Sequence, residues 1–121
     1  MADRPAEWPL SVTKEENTMV YLIRFSEPIS PNHTTQYYLG STNNLPRRVQ
    51  EHRQESKGMF GAAKARGINW RVVRCFTGGF EVEKRLKRQK NNRRMCPIAT
   101  KGRPYTPTFA QEIDCQVALE M

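Results

Sequence analysis

The sequence lacks the features of a membrane protein and of a disulfide-stabilised protein. No apolar stretch approaches the roughly 18 residues that a membrane-spanning helix needs. Residues 1–16 are acidic and interrupted by proline, without the basic start and apolar centre of a signal peptide. The cysteines, Cys75, Cys96 and Cys115, are widely spaced and form no C-x-x-C pair, which argues against a disulfide framework and a zinc site. We therefore expect an intracellular protein with reduced thiols, cytoplasmic or, in a eukaryote, nuclear.

Acidic residues are scarce in the middle of the 121-residue chain. Residues 45–94 hold fifteen Lys and Arg residues against four Glu, whereas both flanks are net acidic, and the whole chain carries a formal net charge of +8. Clustered cations gain affinity for phosphate because binding releases counterions, so this pattern predicts a polyanionic partner. The alternative interpretation is a basic face that is merely solvated.

Length and proline content predict one folded domain with a segment on either side. A chain of this length can bury a single modest core. We expect a loosely ordered N-terminal arm over residues 1–16, the folded domain over residues 17–95, and a proline-rich C-terminal extension over residues 96–121. Residues 108–121 suit either an acidic amphipathic helix or an edge strand, and we expect the helix.

Hydrophobic periodicity and turn residues predict an alternation of strands and helices. We expect strands at residues 18–25, 35–39 and 70–76, and helices from a cap at residue 43 or 44 to about residue 57 and over residues 80–90, with a short helix or turn at residues 58–67. This order predicts an α+β fold in which helices flank a small three-stranded antiparallel sheet. The loop at residues 26–34 carries His33, which is either a functional side chain or simply solvated.

Two polar residues lie on the expected inner face of the first long helix. At about 100° per residue, Arg48 and His52 fall one turn apart, on or beside the apolar stripe of Leu45 and Val49. A local departure from patterning inside an otherwise consistent helix is where a functional site is expected. Before this helix a tyrosine-rich strand ends at Gly40, where the backbone needs conformational freedom or a close approach.

The last long helix offers one carboxylate to the interior. On a helical projection Glu83 falls among the apolar residues near Leu86, whereas Glu81 points away. Glu83 is therefore the candidate site residue and Glu81 the solvated one. The alternative is that Glu83 only forms an ion pair with Lys87, four residues later.

These side chains together suit phosphodiester cleavage. A single carboxylate, Glu83, can hold a Mg²⁺ ion that keeps most of its waters and takes a phosphate oxygen. Arg48 can clamp the phosphate and stabilise its developing charge. A tyrosine can deprotonate water only if cationic neighbours lower its pKa from about 10. The expected cations are His52, Lys64 and the metal ion.

Two short triplets and the helix after them resemble those of the GIY-YIG nuclease superfamily: Met19-Val20-Tyr21, Tyr38-Leu39-Gly40, and Ser41-Thr42-x-x-Leu45-x-x-Arg48-x-x-x-His52. Farther on, Lys64 before a strand and Glu83-x-x-Leu86-Lys87 on a helix are similar to its remaining landmarks. The resemblance extends over about residues 18–90. The first triplet departs by carrying Met and Val where Gly and Ile are usual, and Asn91 and Asn92 precede the position at which many members place an Asn.

The resemblance implies metal-dependent hydrolysis of DNA, with Mg²⁺ as the cofactor and Mn²⁺ as its substitute. By position, Tyr21 would be the general base or water-orienting residue, and Tyr38 its partner at the scissile phosphate. Arg48 would be the transition-state clamp, His52 a proton relay or phosphate contact, and Glu83 the metal ligand.

We expect duplex or branched DNA as the partner. The expected contacts to nucleic acid are Gly40, Lys64, Arg66, Lys87 and Arg88. No DNA-reading motif is present, so target choice would come from the loop at residues 26–34, the C-terminal extension, DNA shape or a further subunit. The alternative function is a non-catalytic module, such as a partner subunit, that binds nucleic acid on the same scaffold.

Overall fold

The computed structural model describes residues 18–32 and 34–120. The expected N-terminal arm and His33 lie outside these residues. The described elements, in chain order, are β1 (Met19–Phe25), β2 (Tyr37–Thr42), α1 (Leu45–Gln54), α2 (Gly58–Arg66), β3 (Trp70–Thr77), α3 (Phe80–Gln89), α4 (Asn92–Met95), β4 (Glu112–Ile113) and α5 (Cys115–Leu119). In this part of the chain, no helix is both long and apolar enough to cross a membrane.

The ends of α1 and α2 follow from local sequence. The side chain of Asn44 caps α1 by accepting a hydrogen bond from the backbone N–H of Arg47 at 3.1 Å, and Pro46 lies in the first turn. Helix α1 ends at Gln54, earlier than expected, because Glu55 has an extended backbone. Gly67 ends α2 with φ of 71°, in the left-handed region that favours glycine.

The sheet is antiparallel throughout, in the strand order β2-β1-β3-β4. The predicted α+β class is confirmed, with four strands rather than three. The additional strand is β4, whose two residues pair with Cys75 and Phe76 of β3. The C-terminal segment therefore supplies both an edge strand, β4, and a short helix, α5. Strand β4 pairs with backbone groups of β3 that would otherwise lie at the edge of the sheet.

Strand β1 is buried on both faces, as its continuous apolar sequence predicted. Tyr21 and Ile23 point to the face that α1 and α2 cover, and Val20 and Leu22 point to the face that α3 and α4 cover. The sheet thus separates two apolar cores, and residues on the two sets of helices lie on opposite faces.

Arg74 attaches the C-terminal extension to the sheet. Its guanidinium is 2% exposed and makes a bidentate pair with Glu112, with distances of 2.9 and 2.7 Å. It also donates to the backbone oxygens of Met95 and Tyr105, at 3.3 and 2.7 Å, and to the hydroxyl of Thr106 at 3.1 Å. A buried guanidinium with all of these acceptors is satisfied, so Arg74 holds three separate parts of the chain together.

We expect Arg74→Met to lower the free energy of unfolding by about 2–4 kcal/mol, because buried carbonyl groups and Glu112 lose their donor. The matched control is Arg71→Met, which removes the same charge from an exposed position of β3 and should cost less than about 0.5 kcal/mol. Urea unfolding of both variants measures the difference. Equal losses would mean that the buried network contributes nothing beyond the charge.

Candidate active site

The buried hydroxyl of Tyr21 is bonded to the imidazole of His52. Tyr21 lies on β1 with no exposed surface, and its Oη atom is 2.7 Å from Nε2 of His52 on α1. The His52 ring is also buried and stacks on Phe60 of α2, with ring centroids 3.9 Å apart. The prediction that His52 faces inward from α1 is therefore confirmed.

Gly40 leaves the space that this hydroxyl occupies. It is the register partner of Tyr21 in the β1–β2 pair. A Cβ atom at Gly40 would lie 2.8 Å from Oη of Tyr21 and 2.9 Å from Cε2 of Tyr38, closer than such atoms approach. The close approach expected at Gly40 is thus found, and its partner is the Tyr21 side chain. A contact of Gly40 with nucleic acid stays a prediction.

Tyr38 and Arg48 complete a cluster around Tyr21. The Tyr38 ring lies 6.1 Å from the Tyr21 ring and 5.2 Å, edge-on, from the His52 ring. The Arg48 guanidinium lies close enough to both tyrosine side chains for them to raise its pKa. It also donates to Oε1 of Glu51 at 3.0 Å and is one third exposed, at 33%. Four of the five predicted catalytic residues therefore meet on one face of the sheet, and Arg48 is the cation that reaches from them to the surface.

Burial shifts the pKa values of Tyr21 and His52 in opposite directions. It raises the pKa of Tyr21 far above its usual value, and the neighbouring Tyr38 adds to that rise while Arg48 opposes it. Burial also lowers the pKa of His52, so the imidazole is neutral at physiological pH. The condition set in the sequence analysis, a tyrosine pKa lowered by cationic neighbours, is therefore not met at Tyr21: its pKa is raised although Arg48 opposes the rise, and His52 is neutral rather than a cation.

Glu55 is a site residue that the sequence interpretation missed. Its Oε1 atom lies 3.2 Å from Nδ1 of His52, on the side of the ring away from Tyr21. The available signal was its spacing, three residues after His52, which places the two side chains on one helix face. The spacing alone did not distinguish it from an ordinary surface pair.

Glu83 lies apart from this cluster, on the opposite face of the sheet. It is 8% exposed on α3; Ser41 of β2 donates to its Oε1 atom at 2.6 Å, and the Lys87 ammonium is 2.6 Å from its Oε2 atom. Its predicted inward position is confirmed, and the pair with Lys87, kept as an alternative, is also present. Strand β2 links Glu83 to the other site residues: Ser41, which donates to Glu83, directly follows Gly40, which lies against Tyr21.

The carboxylate of Glu83 suits a hard cation that keeps most of its water ligands. Among residues 18–32 and 34–120, no group of three or more His, Cys, Asp or Glu side chains could enclose a metal ion. Mg²⁺ needs no such group, since one carboxylate together with water and substrate oxygens is a common way to bind it. The carboxylate therefore suits Mg²⁺, and because both of its oxygens have partners, a bound ion would replace the Lys87 ammonium as the cation beside it.

The predicted basic contacts are exposed on helices that cover opposite faces of the sheet. Lys64 and Arg66 are exposed on α2, and Lys87 and Arg88 are exposed on α3. Lys64 shares with His52 the lining of an open cavity of about 280 Å³. Cations thus lie near both faces that carry predicted catalytic residues, as a phosphate-bearing polymer would require.

Comparison with known proteins gives one match. The family model of the GIY-YIG catalytic domain matches residues 17–96, which is more than half of the chain. No curated protein and no solved structure matches significantly. The matched range contains all five predicted catalytic residues.

We expect Gly40→Ala to lower the free energy of unfolding by about 1–3 kcal/mol, because the new methyl group displaces the Tyr21 hydroxyl. The cost should be smaller in a Tyr21→Phe background, in which the nearest atom is gone. Chemical unfolding of the four proteins in this double-mutant cycle should give a coupling of about 0.5 kcal/mol or more. Additive costs would show that the two positions do not interact.

Proposed function

Because this chain belongs to the GIY-YIG catalytic domain family, we propose that it is an endonuclease that hydrolyses DNA phosphodiester bonds with a divalent metal ion. The family supports a nuclease, and the metal requirement and the DNA substrate are our proposals. The observation that carries them is the position of the Arg48 guanidinium, which lies beside both tyrosines and is still partly open to the surface. A phosphate that docked on Arg48 would be held directly beside the buried Tyr21–His52 pair.

The charge distribution supports DNA as the substrate. The surplus of cations lies in residues 45–94, which include Arg48 and His52, and Lys64, Arg66 and Arg88 are exposed on α2 and α3. Contacts of this kind would neutralise backbone phosphates without reading bases, so we expect little sequence preference from them. Duplex and branched DNA are both compatible with this surface.

A proton relay through Tyr21 follows from the two pKa shifts. A tyrosine whose pKa is raised by burial cannot serve as a standing phenolate base. It can accept a proton from the attacking water while it gives its own hydroxyl proton to neutral Nε2 of His52, 2.7 Å away. In this scheme Tyr21 transmits the proton and His52 holds it, and Tyr38 positions the phosphate with Arg48.

Arg48 would act on charge that develops at the phosphate. Its guanidinium donates to Glu51 and lies beside both tyrosines, so it is oriented before substrate arrives. Preorganised donors of this type stabilise a transition state more than a ground state. Glu83 would hold the Mg²⁺ ion, which when bound would polarise the phosphate and neutralise the departing oxygen. Lys87 would then shift from the carboxylate toward DNA.

We expect the protein to nick supercoiled plasmid or branched DNA with Mg²⁺ and to be inactive in EDTA. Glu83→Gln should lower the rate at least about 100-fold, because metal assistance contributes several kcal/mol to transition-state stabilisation. The matched control is Glu81→Gln, which neutralises an exposed carboxylate of the same helix and should leave the rate unchanged. Gel assays of plasmid and junction substrates measure these rates.

The absence of nicking on every DNA substrate with Mg²⁺ and Mn²⁺, together with retained DNA binding, would instead favour the non-catalytic binding module. Full activity of Glu83→Gln would remove Glu83 from the metal site.

We expect Arg48→Ala to lower kcat by about 10²- to 10³-fold while the affinity for DNA falls far less, since the guanidinium acts mainly on developing charge. Arg47→Ala is the control, because Arg47 precedes it on α1, is 60% exposed and also pairs with Glu51. Single-turnover cleavage and equilibrium DNA binding separate the two effects. A loss in Arg48→Ala explained entirely by weaker binding would make Arg48 a phosphate anchor.

A further inference from the structure

Glu55 is held against His52 by two contacts. Its backbone N–H donates to the backbone oxygen of His52 at 3.3 Å as α1 ends. Its carboxylate oxygen Oε1 lies 3.2 Å from Nδ1 of the same residue. The side chain is 37% exposed, whereas the His52 side chain is 1% exposed. Glu55 therefore connects a buried imidazole to the surface at the end of the helix.

The two hydrogen-bond partners of the His52 ring differ in whether they can donate or only accept. A neutral imidazole has one N–H group and one nitrogen lone pair, and an ionised carboxylate only accepts hydrogen bonds. Nδ1 must therefore carry the proton that Glu55 accepts, which leaves the lone pair on Nε2. The Tyr21 hydroxyl, which both donates and accepts, then donates to Nε2. Tyr21 alone would accept either tautomer, because its hydroxyl can play both roles.

The other neighbours of the ring leave the tautomer undetermined. Phe60 stacks on it and Trp70 of β3 meets it edge-on at 6.3 Å, and neither offers an acceptor. Tyr38 also meets the ring through its edge. Within the described part of the chain, the side-chain bonds recorded for the ring are those to Tyr21 and Glu55. Glu55 is therefore the partner whose chemistry selects the tautomer.

We propose that Glu55 is a positioning residue that fixes His52 in the Nδ1–H tautomer, so that Nε2 accepts the Tyr21 proton. The catalytic consequence rests on the proposed nuclease function, whereas the tautomer does not. In the step itself, the O–H bond of Tyr21 breaks and an N–H bond forms at Nε2, while the Tyr21 oxygen takes the proton of the attacking water. The resulting imidazolium donates to Glu55 through Nδ1–H and keeps its charge beside a carboxylate.

Glu55→Gln is the informative substitution because it keeps the shape of the side chain but no longer restricts His52 to one tautomer. A glutamine amide can accept from Nδ1–H through its oxygen or donate to Nδ1 through its nitrogen. In the second arrangement Nε2 carries the proton and donates to Tyr21, so His52 can no longer accept. An amide in place of the orienting carboxylate of a catalytic triad lowers kcat through the wrong tautomer in the same way.

The tautomer is measured directly by long-range ¹⁵N–¹H NMR on protein with ¹⁵N-labelled histidine at pH 7.5. His33 is the other histidine, so His33→Gln assigns the signals of His52. We expect the wild type to show protonated Nδ1 and unprotonated Nε2, and Glu55→Gln and Glu55→Ala to show mixed tautomers. A wild-type His52 protonated at Nε2, or variants that keep the wild-type pattern, would overturn the proposal whether or not the protein cuts DNA.

Cleavage kinetics test the consequence. We expect Glu55→Gln and Glu55→Ala to lower kcat by about 10-fold or more with KM changed less than about twofold, since Glu55 does not touch the substrate. The control is Glu81→Gln, with kcat and tautomer both unchanged. Equal effects on kcat and KM, or a normal kcat with mixed tautomers, would contradict the relay. Inactive wild-type protein with the expected tautomer would contradict the proposed function and leave the assignment of Glu55 supported.

Discussion

The Tyr21 side chain is fully buried, and the arrangement around it follows from the need to hydrogen-bond its hydroxyl. A buried hydroxyl without a partner costs about 1–3 kcal/mol, a large part of the stability of a domain of this size. His52 supplies the hydrogen-bond partner from α1, which requires the helix to cross this face of the sheet at a fixed rotation. Gly40 supplies the space, because any side chain there would meet the hydroxyl. The contacts that stabilise the fold here are therefore also those that pair Tyr21 with His52.

The sheet places the proposed metal ligand and the proton-accepting pair on opposite faces. Strand β1 is covered on both sides, so no side chain can pass between them through the middle of the sheet. Strand β2 is an edge strand, and its successive residues Gly40 and Ser41 face Tyr21 on one side and Glu83 on the other. A substrate that meets both groups has to lie across this edge. Cations on α2 and on α3 are consistent with a polymer that contacts both faces.

The sequence could predict features that depend on periodicity but not those that depend on distant partners. Helical projection placed His52 and Glu83 inward, because the apolar residues of their own helices define the inner face. The same projection could not foresee that Ser41 would bond Glu83, or that burial by residues from several elements would raise the pKa of Tyr21. For the segment that contains β4, the sequence left an edge strand as the second choice after a helix, because two residues carry too little alternation to separate a short strand from a helix.

The burial of Arg74 is another feature that the sequence could not predict, and it shows how the C-terminal extension supports the sheet. In sequence it is one more cation in a basic region, and its burial becomes intelligible only once Tyr105, Thr106 and Glu112 fold against it. Arg74 lies beside Phe76 on the face of α3 and α4, with its guanidinium 4.7 Å from that ring, whereas its neighbour Cys75 lies opposite Tyr21. The extension therefore supports β3, and β3 supports the strand that carries Tyr21, without a contact to the hydroxyl itself. Changes in this network should alter the stability of the domain before they alter its chemistry.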